Sequence, residues 1–200
     1  MYSQNDEEKF VCEYFQGRTG RFLDIGAYDG VQLSNTRKLL ELGWSGVLVE
    51  PGAANFCRLM QNCREFSERT VLVQAAVSAV KKLSRLWIDE YPERQWSTTL
   101  NLGLKESGSV MKPSPVNVMV PCIEVEELRE FGPYDFLSLD AEWEDWSIVT
   151  TTRAWFWRGF EIICVEAYKD NDRQNMLKLF DDYGFSMVHS TKENIILKRK

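Results

Sequence analysis

Phe22-Leu23-Asp24-Ile25-Gly26-Ala27-Tyr28-Asp29-Gly30 runs from a short apolar stretch into a loop framed by two glycines. A run this short, stopped by glycine, reads as a buried strand, and the loop reads as the turn that carries the chain off the sheet. Downstream, residues 34–42 carry a helical pattern stopped by Gly43. A second strand, Gly46-Val47-Leu48-Val49-Glu50, ends at Pro51, and a helix over 53–64 leads to a third strand over 71–76. Upstream, an amphipathic helix over 5–16 puts Phe10, Val11, Tyr14 and Phe15 on one side, and Gly17 and Gly20 break it. Alternation of strand and helix predicts a parallel sheet with right-handed crossovers.

Strands are expected at 83–88 and 116–120, around a polar insert over 89–115 read as loop. A short helix over 125–131 follows. The strands Tyr134-Asp135-Phe136-Leu137-Ser138-Leu139-Asp140 and Phe160-Glu161-Ile162-Ile163-Cys164-Val165-Glu166 both end in acids. A tryptophan-rich helix over 144–157 lies between them, and a helix over 172–183 stops at Gly184. Segments 185–189 and 194–198 form a closing antiparallel pair. The expected fold is therefore α/β: a Rossmann-like, mainly parallel central sheet with helices on both faces and a C-terminal antiparallel hairpin, a shape that resembles the class I methyltransferase sheet.

Composition agrees with one folded domain over 1–200, comprising an N-terminal helical segment (1–20), the sheet and the insert. The chain has 200 residues, 44% of them hydrophobic and 27% charged, which excludes a disordered or fibrous chain. No apolar run approaches the ~18 residues of a membrane span. The acidic start, Met1-Tyr2-Ser3-Gln4-Asn5-Asp6-Glu7-Glu8, is neither a secretory signal nor a transit peptide. A net charge of −6 gives no general attraction to nucleic acid or an anionic membrane. Cys12, Cys57, Cys63, Cys122 and Cys164 form no C-x-x-C pair, so they read as reduced thiols of a cytoplasmic protein, not as a disulfide frame or zinc site.

The loop chemistry narrows the ligand. A dinucleotide fingerprint needs G-x-G-x-x-G so that pyrophosphate rests on a helix N-terminus. Here the pattern is Asp-x-Gly-x-x-x-Gly, and Asp24 and Asp29 would repel pyrophosphate. Two carboxylates suit a ligand without phosphate that carries ammonium and sulfonium charge, which is S-adenosylmethionine. Glu50, ending the second strand, is placed to accept hydrogen bonds from both ribose hydroxyls.

These blocks together resemble the FkbM-type methyltransferases. Asp24-Ile25-Gly26-Ala27-Tyr28-Asp29-Gly30-Val31 with Ser34-Asn35-Thr36 is similar to the family's opening motif. Gly43-Trp44-Ser45-Gly46 leading to Val49-Glu50-Pro51 is similar to its second. Ala75-Ala76-Val77-Ser78, Phe136-Leu137-Ser138-Leu139-Asp140-Ala141-Glu142, Val165-Glu166, Tyr183-Gly184-Phe185 and Asn194-Ile195-Ile196 continue in order. The resemblance covers about residues 20–198. It implies a Rossmann-like fold, S-adenosylmethionine as cofactor, and O-methylation of a hydroxyl on a sugar or other small-molecule or glycan acceptor. It also implies that Asp24, Gly26, Ala27 and Gly30 form the methionine-side loop and that Glu50, followed by Pro51, holds the ribose. Ser34, Asn35 and Thr36 would hold the methionine carboxylate. Ala76 and Ser78 would leave room for adenine, and Asp140 would border the cofactor.

Methyl transfer from a sulfonium needs alignment, plus a base when the nucleophile is a hydroxyl. Asp140, Glu142 and Glu166, where the fourth and fifth strands end, are the candidate catalytic residues. The family pattern Asp-x-Glu-Gly-x-Glu here reads Asp140-Ala141-Glu142-Trp143-Glu144-Asp145, with Trp143 in place of glycine. Glu144 and Asp145 read as first-turn helix charges. His189 reads as remote from the cleft, and Trp155 and Trp157 as core. Trp143 and Trp146 share a helix face, Trp143 with either a core or a cleft role. The insert, with Ser97-Thr98-Thr99, reads either as linker or as a lid over the substrate cleft. No metal site is expected. RNA ribose 2′-O methylation uses a Lys-Asp-Lys-Glu set; Asp140, Lys169 and Glu193 supply three members, with no place for the first lysine. A non-catalytic S-adenosylmethionine-binding module is the other alternative, favoured by Trp143; the missing G-x-G-x-x-G argues against a nicotinamide enzyme.

Overall fold

The computed structural model describes residues 1–88, 97–98, 118–142, 144–167 and 170–200. In chain order these form α1 (Glu7–Phe15), β1 (Arg21–Ile25), α2 (Arg37–Glu41), β2 (Ser45–Val49), α3 (Ala53–Asn62), a 3-10 turn (Arg64–Phe66), β3 (Thr70–Val73), β4 (Ala76–Val77), β5 (Lys82–Ile88), β6 (Ser97–Thr98) and β7 (Val118–Ile123). A 3-10 helix (Val125–Phe131), β8 (Phe136–Leu139), α4 (Asp145–Thr151), α5 (Ala154–Trp157), β9 (Ile162–Glu166), α6 (Asp170–Asp182), β10 (Phe185–Ser190) and β11 (Asn194–Arg199) complete them.

The main sheet has seven strands in the order β10-β11-β9-β8-β1-β2-β3. β9, β8, β1, β2 and β3 run parallel, and β11 and β10 close the sheet as an antiparallel hairpin. The parallel strands read as continuous apolar runs because both faces are covered. On one face Leu23, Val47, Leu137, Ile163 and Ile195 pack with Ile148, Phe156, Trp157 and Phe180 of α4, α5 and α6. On the other, Phe22, Leu48, Phe136, Ile162 and Ile196 pack with Val11, Phe15, Leu39 and Leu59 of α1, α2 and α3. The chain order reverses at β1, which has β2 on one side and β8 on the other, so the crevice of an open α/β sheet opens above the carboxyl ends of these strands.

Four features differ from the sequence reading. The expected third strand divides: β3 joins the main sheet, whereas β4 pairs with β7 in a second sheet ordered β4-β7-β5-β6. Its core is Ala76, Leu86, Val120 and Cys122. α2 starts only at Arg37, because residues 29–36 are wound by side chain to backbone bonds that compete with helix. The expected 144–157 helix breaks after α4, where the backbone N–H of Arg153 donates to Glu126 Oε1 at 2.8 Å and turns the chain. Trp157 is core as expected, but Trp155 is 41% exposed, with the Arg129 and Arg153 guanidiniums over its ring. The lid reading of 89–115 and the role of Trp143 fall outside the described residues, apart from the two-residue β6.

The N-terminal segment is tied to the far end of the sheet. Glu7, fully buried, accepts hydrogen bonds from the Asn5 backbone N–H (3.0 Å), Asn5 Nδ2 (3.1 Å), Thr191 Oγ1 (2.7 Å) and Asn194 Nδ2 (2.9 Å). His189 sits in β10, against Asp6 at 2.9 Å and stacked on Phe10, on the outer side of the hairpin.

Candidate active site

The glycine loop folds back over β2. The N–H groups of Gly26 and Ala27 both donate to the Val49 carbonyl at 3.0 Å, while the Asp140 N–H donates to the Ile25 carbonyl at 3.0 Å. Gly26 has φ +80, and a Cβ there would lie 1.8 Å from the Asp140 carbonyl oxygen. Only glycine permits that conformation and approach together. Asp29 accepts the N–H groups of Val31 (2.9 Å) and Gln32 (2.8 Å), so it closes the turn locally. Gly30, at φ +74, packs directly on Leu59 of α3.

Glu50, immediately after β2, is 4% exposed. Its Oε2 accepts the Tyr28 N–H at 3.1 Å and its Oε1 accepts the Gly52 N–H at 2.7 Å, with Asn55 Nδ2 at 3.4 Å. Tyr28 reaches this bond at φ +50. Burial pushes the Glu50 carboxyl up to about 7, against the opposing pull of these donors. Pro51 continues the turn into α3. Asn55 and Gly52 were not among the expected site residues; their spacing after Glu50 was the available signal.

Beneath the loop, Asp24 is buried at 4% exposure and Thr36 Oγ1 donates to its Oδ2 at 2.5 Å. Burial raises the Asp24 carboxyl to about 6, while Thr36 and Ser138 favour its charged form. Ser34 Oγ accepts the N–H groups of Thr36 (3.2 Å) and Arg37 (3.0 Å) and so closes the turn ahead of α2. Asn35 Nδ2 donates to Ser138 Oγ at 3.2 Å. The side chains of Asp24, Ser34, Asn35 and Thr36 are thus engaged inside the protein, where the sequence reading had aimed them at a ligand. Ala76 packs its side chain into the core of the small sheet.

The acids gather at the carboxyl ends of β8 and β9. Asp140 is half-buried, and its Oδ1 is inaccessible and without a hydrogen-bond partner among the described residues. Burial raises its carboxyl to about 6, opposed by the Glu142 backbone N–H. Glu142 sits at φ +47, its carboxyl pushed well up by burial and then by Asp140, Asp145 and Glu50. Glu166, the last residue of β9, is raised to about 10 by burial and by Asp140, Asp145, Glu142 and Glu193. The structure therefore brings Asp140 and Glu142 within electrostatic reach of Glu50 on one side and Glu166 on the other. Asp145 accepts the Ala141 N–H at 2.9 Å from the first turn of α4, a helix-starting role in line with its reading. Glu193 is held by Asn5 Nδ2 (2.9 Å) and Lys192 (3.1 Å), and Lys169 lies outside the described residues. Among the described residues no three His, Cys, Asp or Glu side chains are arranged to hold a metal ion.

Comparison with solved structures supports the fold. An FkbM methyltransferase from Methylobacillus flagellatus superposes with a TM-score of 0.56 at 13% identity, covering 90% of this chain and 43% of that one. A protein described as an RNA methyltransferase from Pyrococcus horikoshii gives 0.54 at 11% identity, covering 97% and 80%. An S-adenosylmethionine-dependent O-methyltransferase from Thermotoga maritima gives 0.50 at 12% identity, covering 97% and 64%. The sequence matches no curated protein at a significant level. The model of the methyltransferase FkbM domain matches residues 24–187, a span holding the glycine loop, Glu50 and both acid-ended strands. The chain therefore belongs to the FkbM methyltransferase domain family, and S-adenosylmethionine is its cofactor.

Proposed function

We propose that this methyltransferase acts on a hydroxyl of a sugar or other small-molecule or glycan acceptor, with Asp140 taking the hydroxyl proton. The residues present fit the cofactor. Glu50 Oε2 is held by one backbone N–H, from Tyr28, which leaves a lone pair for a ribose hydroxyl, while Oε1 is held by the Gly52 N–H and, at 3.4 Å, by Asn55 Nδ2, the longer bond being the one a second hydroxyl would displace. Gly26 and Ala27 offer close backbone approach, Gly30 and Pro51 hold the loops on either side, and the buried acids favour a cationic ligand over a phosphate. When bound, S-adenosylmethionine supplies an electrophilic methyl group whose thioether leaving group needs no proton. The methionine end falls to the 26–36 segment, whose Ser34, Asn35 and Thr36 side chains act by shaping it. Contact of Ala76 with adenine would run through its backbone.

The observation that carries the reading is the place of Asp140, on a strand end whose backbone touches the glycine loop, with a carboxyl that burial raises. A carboxyl raised to about 6 still ionises at neutral pH and is a stronger base than an ordinary aspartate. Glu166, its carboxyl raised to about 10, holds a proton at neutral pH and can donate to an acceptor hydroxyl, and Glu142, its carboxyl pushed well up by burial and by Asp140, stands beside it. In this reading residues 1–200 form one cytoplasmic catalytic domain and the 89–115 insert selects the acceptor. Among the described residues no helix is long and apolar enough to cross a membrane, and all five cysteines are free.

The test is a pair of measurements on wild type and Asp140→Asn. Calorimetry with S-adenosylhomocysteine, NAD as control, should show binding in both proteins. Transfer of labelled methyl from S-adenosylmethionine to pools of neutral glycosides should fall about 10²–10⁴-fold in the variant. Label in RNA and none in glycosides would replace the acceptor assignment, and no binding of S-adenosylhomocysteine by wild type would overturn the reading.

A further inference from the structure

Two residues below the carboxyl edge of the sheet, a polar row crosses an otherwise apolar layer. Asp24 of β1 is in register with Ser138 of β8, and Ser138 with Cys164 of β9. The same row continues into Leu48 of β2 on one side and Ile196 of β11 on the other. Those flanking residues show what the layer otherwise holds. Asp24, Ser138 and Cys164 are 4%, 3% and 1% exposed. A buried carboxylate is costly, and apolar residues of similar volume are commonly as stable at such positions. Stability alone does not account for the row.

The row is bonded to the segment that follows the glycine loop. Thr36 Oγ1 donates to Asp24, and Asn35 Nδ2 donates to Ser138 Oγ at 3.2 Å and faces Cys164 Sγ at 3.8 Å. Asn35 thus reaches from the loop across β1 to β8 and β9, the two strands that end in Asp140 and Glu166. Directly above, Gly26 lies against the Asp140 carbonyl and the Asp140 N–H is bonded to Ile25.

Resting on the methyltransferase reading above, we propose that Ser138 and Asn35 are positioning residues that lock residues 26–36 onto the strand carrying Asp140. Neither touches the ligand. They set the distance between the donor's cradle and the base, and in-line transfer is sensitive to displacements of about 1 Å.

The experiment compares Ser138→Ala, Ser138→Thr, Asn35→Ala and the Ser138→Ala/Asn35→Ala double variant. Each is read by calorimetry with S-adenosylhomocysteine and by thermal unfolding without ligand. Loss of the shared hydrogen bond should weaken binding about five- to tenfold in each single alanine variant. The double variant should lose clearly less than the sum of the two singles, because both remove the Asn35–Ser138 bond. Ser138→Thr, which keeps the hydroxyl, should restore affinity to within about threefold, and unliganded melting temperatures should stay within about 2–4 °C of wild type. Unchanged binding in Ser138→Ala, additive losses in the double variant, or losses that track a fall in melting temperature without rescue by threonine would each overturn the proposal. Failure of wild type to bind S-adenosylhomocysteine would instead overturn the functional reading on which it rests.

Discussion

At the scale of single residues, Gly26 and Glu50 set the sharpest expectations. Alanine at position 26 meets both a left-handed backbone and a carbonyl oxygen 1.8 Å from its Cβ. Relief requires β1 and β8 to part, so Gly26→Ala should cost about 2–5 kcal/mol in chemical denaturation and abolish S-adenosylhomocysteine binding. Glu50→Gln keeps shape but loses charge-assisted bonds to a diol, which should weaken the ligand about 10–100-fold. Because the Glu50 carboxyl titrates near 7, wild-type affinity should rise from pH 6 to pH 8, and the glutamine variant should lose most of that rise. A flat wild-type profile would show that the diol is held elsewhere. These two residues were legible in the sequence because glycine after a strand and an acid ending the next strand each have few structural uses. Ser138 was visible too, as the lone polar residue in Phe136-Leu137-Ser138-Leu139, but its bond to Asn35 spans 103 positions and no local pattern encodes that.

At the scale of elements, the parallel strands and the closing hairpin could be read from runs of apolar residues and their glycine stops. What escaped were choices made by tertiary partners. Ala76-Val77 continues an apolar run yet leaves the main sheet, because β7 offers a parallel partner more than forty residues later. The 144–157 helix divides with no glycine or proline at the break, because Glu126 captures the Arg153 backbone. α1 depends on a similar long-range tie through Glu7. Glu7→Ala leaves Asn5, Thr191 and Asn194 without their shared acceptor and should lower stability by about 2–4 kcal/mol. A loss of unfolding free energy under about 1 kcal/mol, with α1 still protected in hydrogen exchange, would contradict that role.

At the scale of the whole molecule, the crevice is a store of protons. Asp24 and Asp140 titrate near 6 and Glu50 near 7, above the 3.8 and 4.5 of the unfolded chain. Between those values the folded protein binds more protons than the unfolded one, so stability must fall as pH rises from about 4, and Glu166, raised to about 10, extends the fall past neutrality. Melting temperatures of the ligand-free protein across pH 5–8 should show that decline. S-adenosylmethionine carries positive charge into the same crevice, so the melting-temperature gain it produces should grow from pH 6 to pH 8. A gain independent of pH would place its charged groups away from these acids.

The contact between Gly26 and Asp140 has a further consequence for redesign. Donor cradle and base share one backbone junction, so neither can be retuned without disturbing the other. On the proposed mechanism, acceptor preference is open to change from the opposite wall of the crevice, beyond Asp140. A library confined to residues 24–50 should therefore yield inactive proteins, whereas one confined to the partly exposed positions between 146 and 161, with Glu142, Glu166 and the buried core kept, should leave affinity for S-adenosylhomocysteine unchanged.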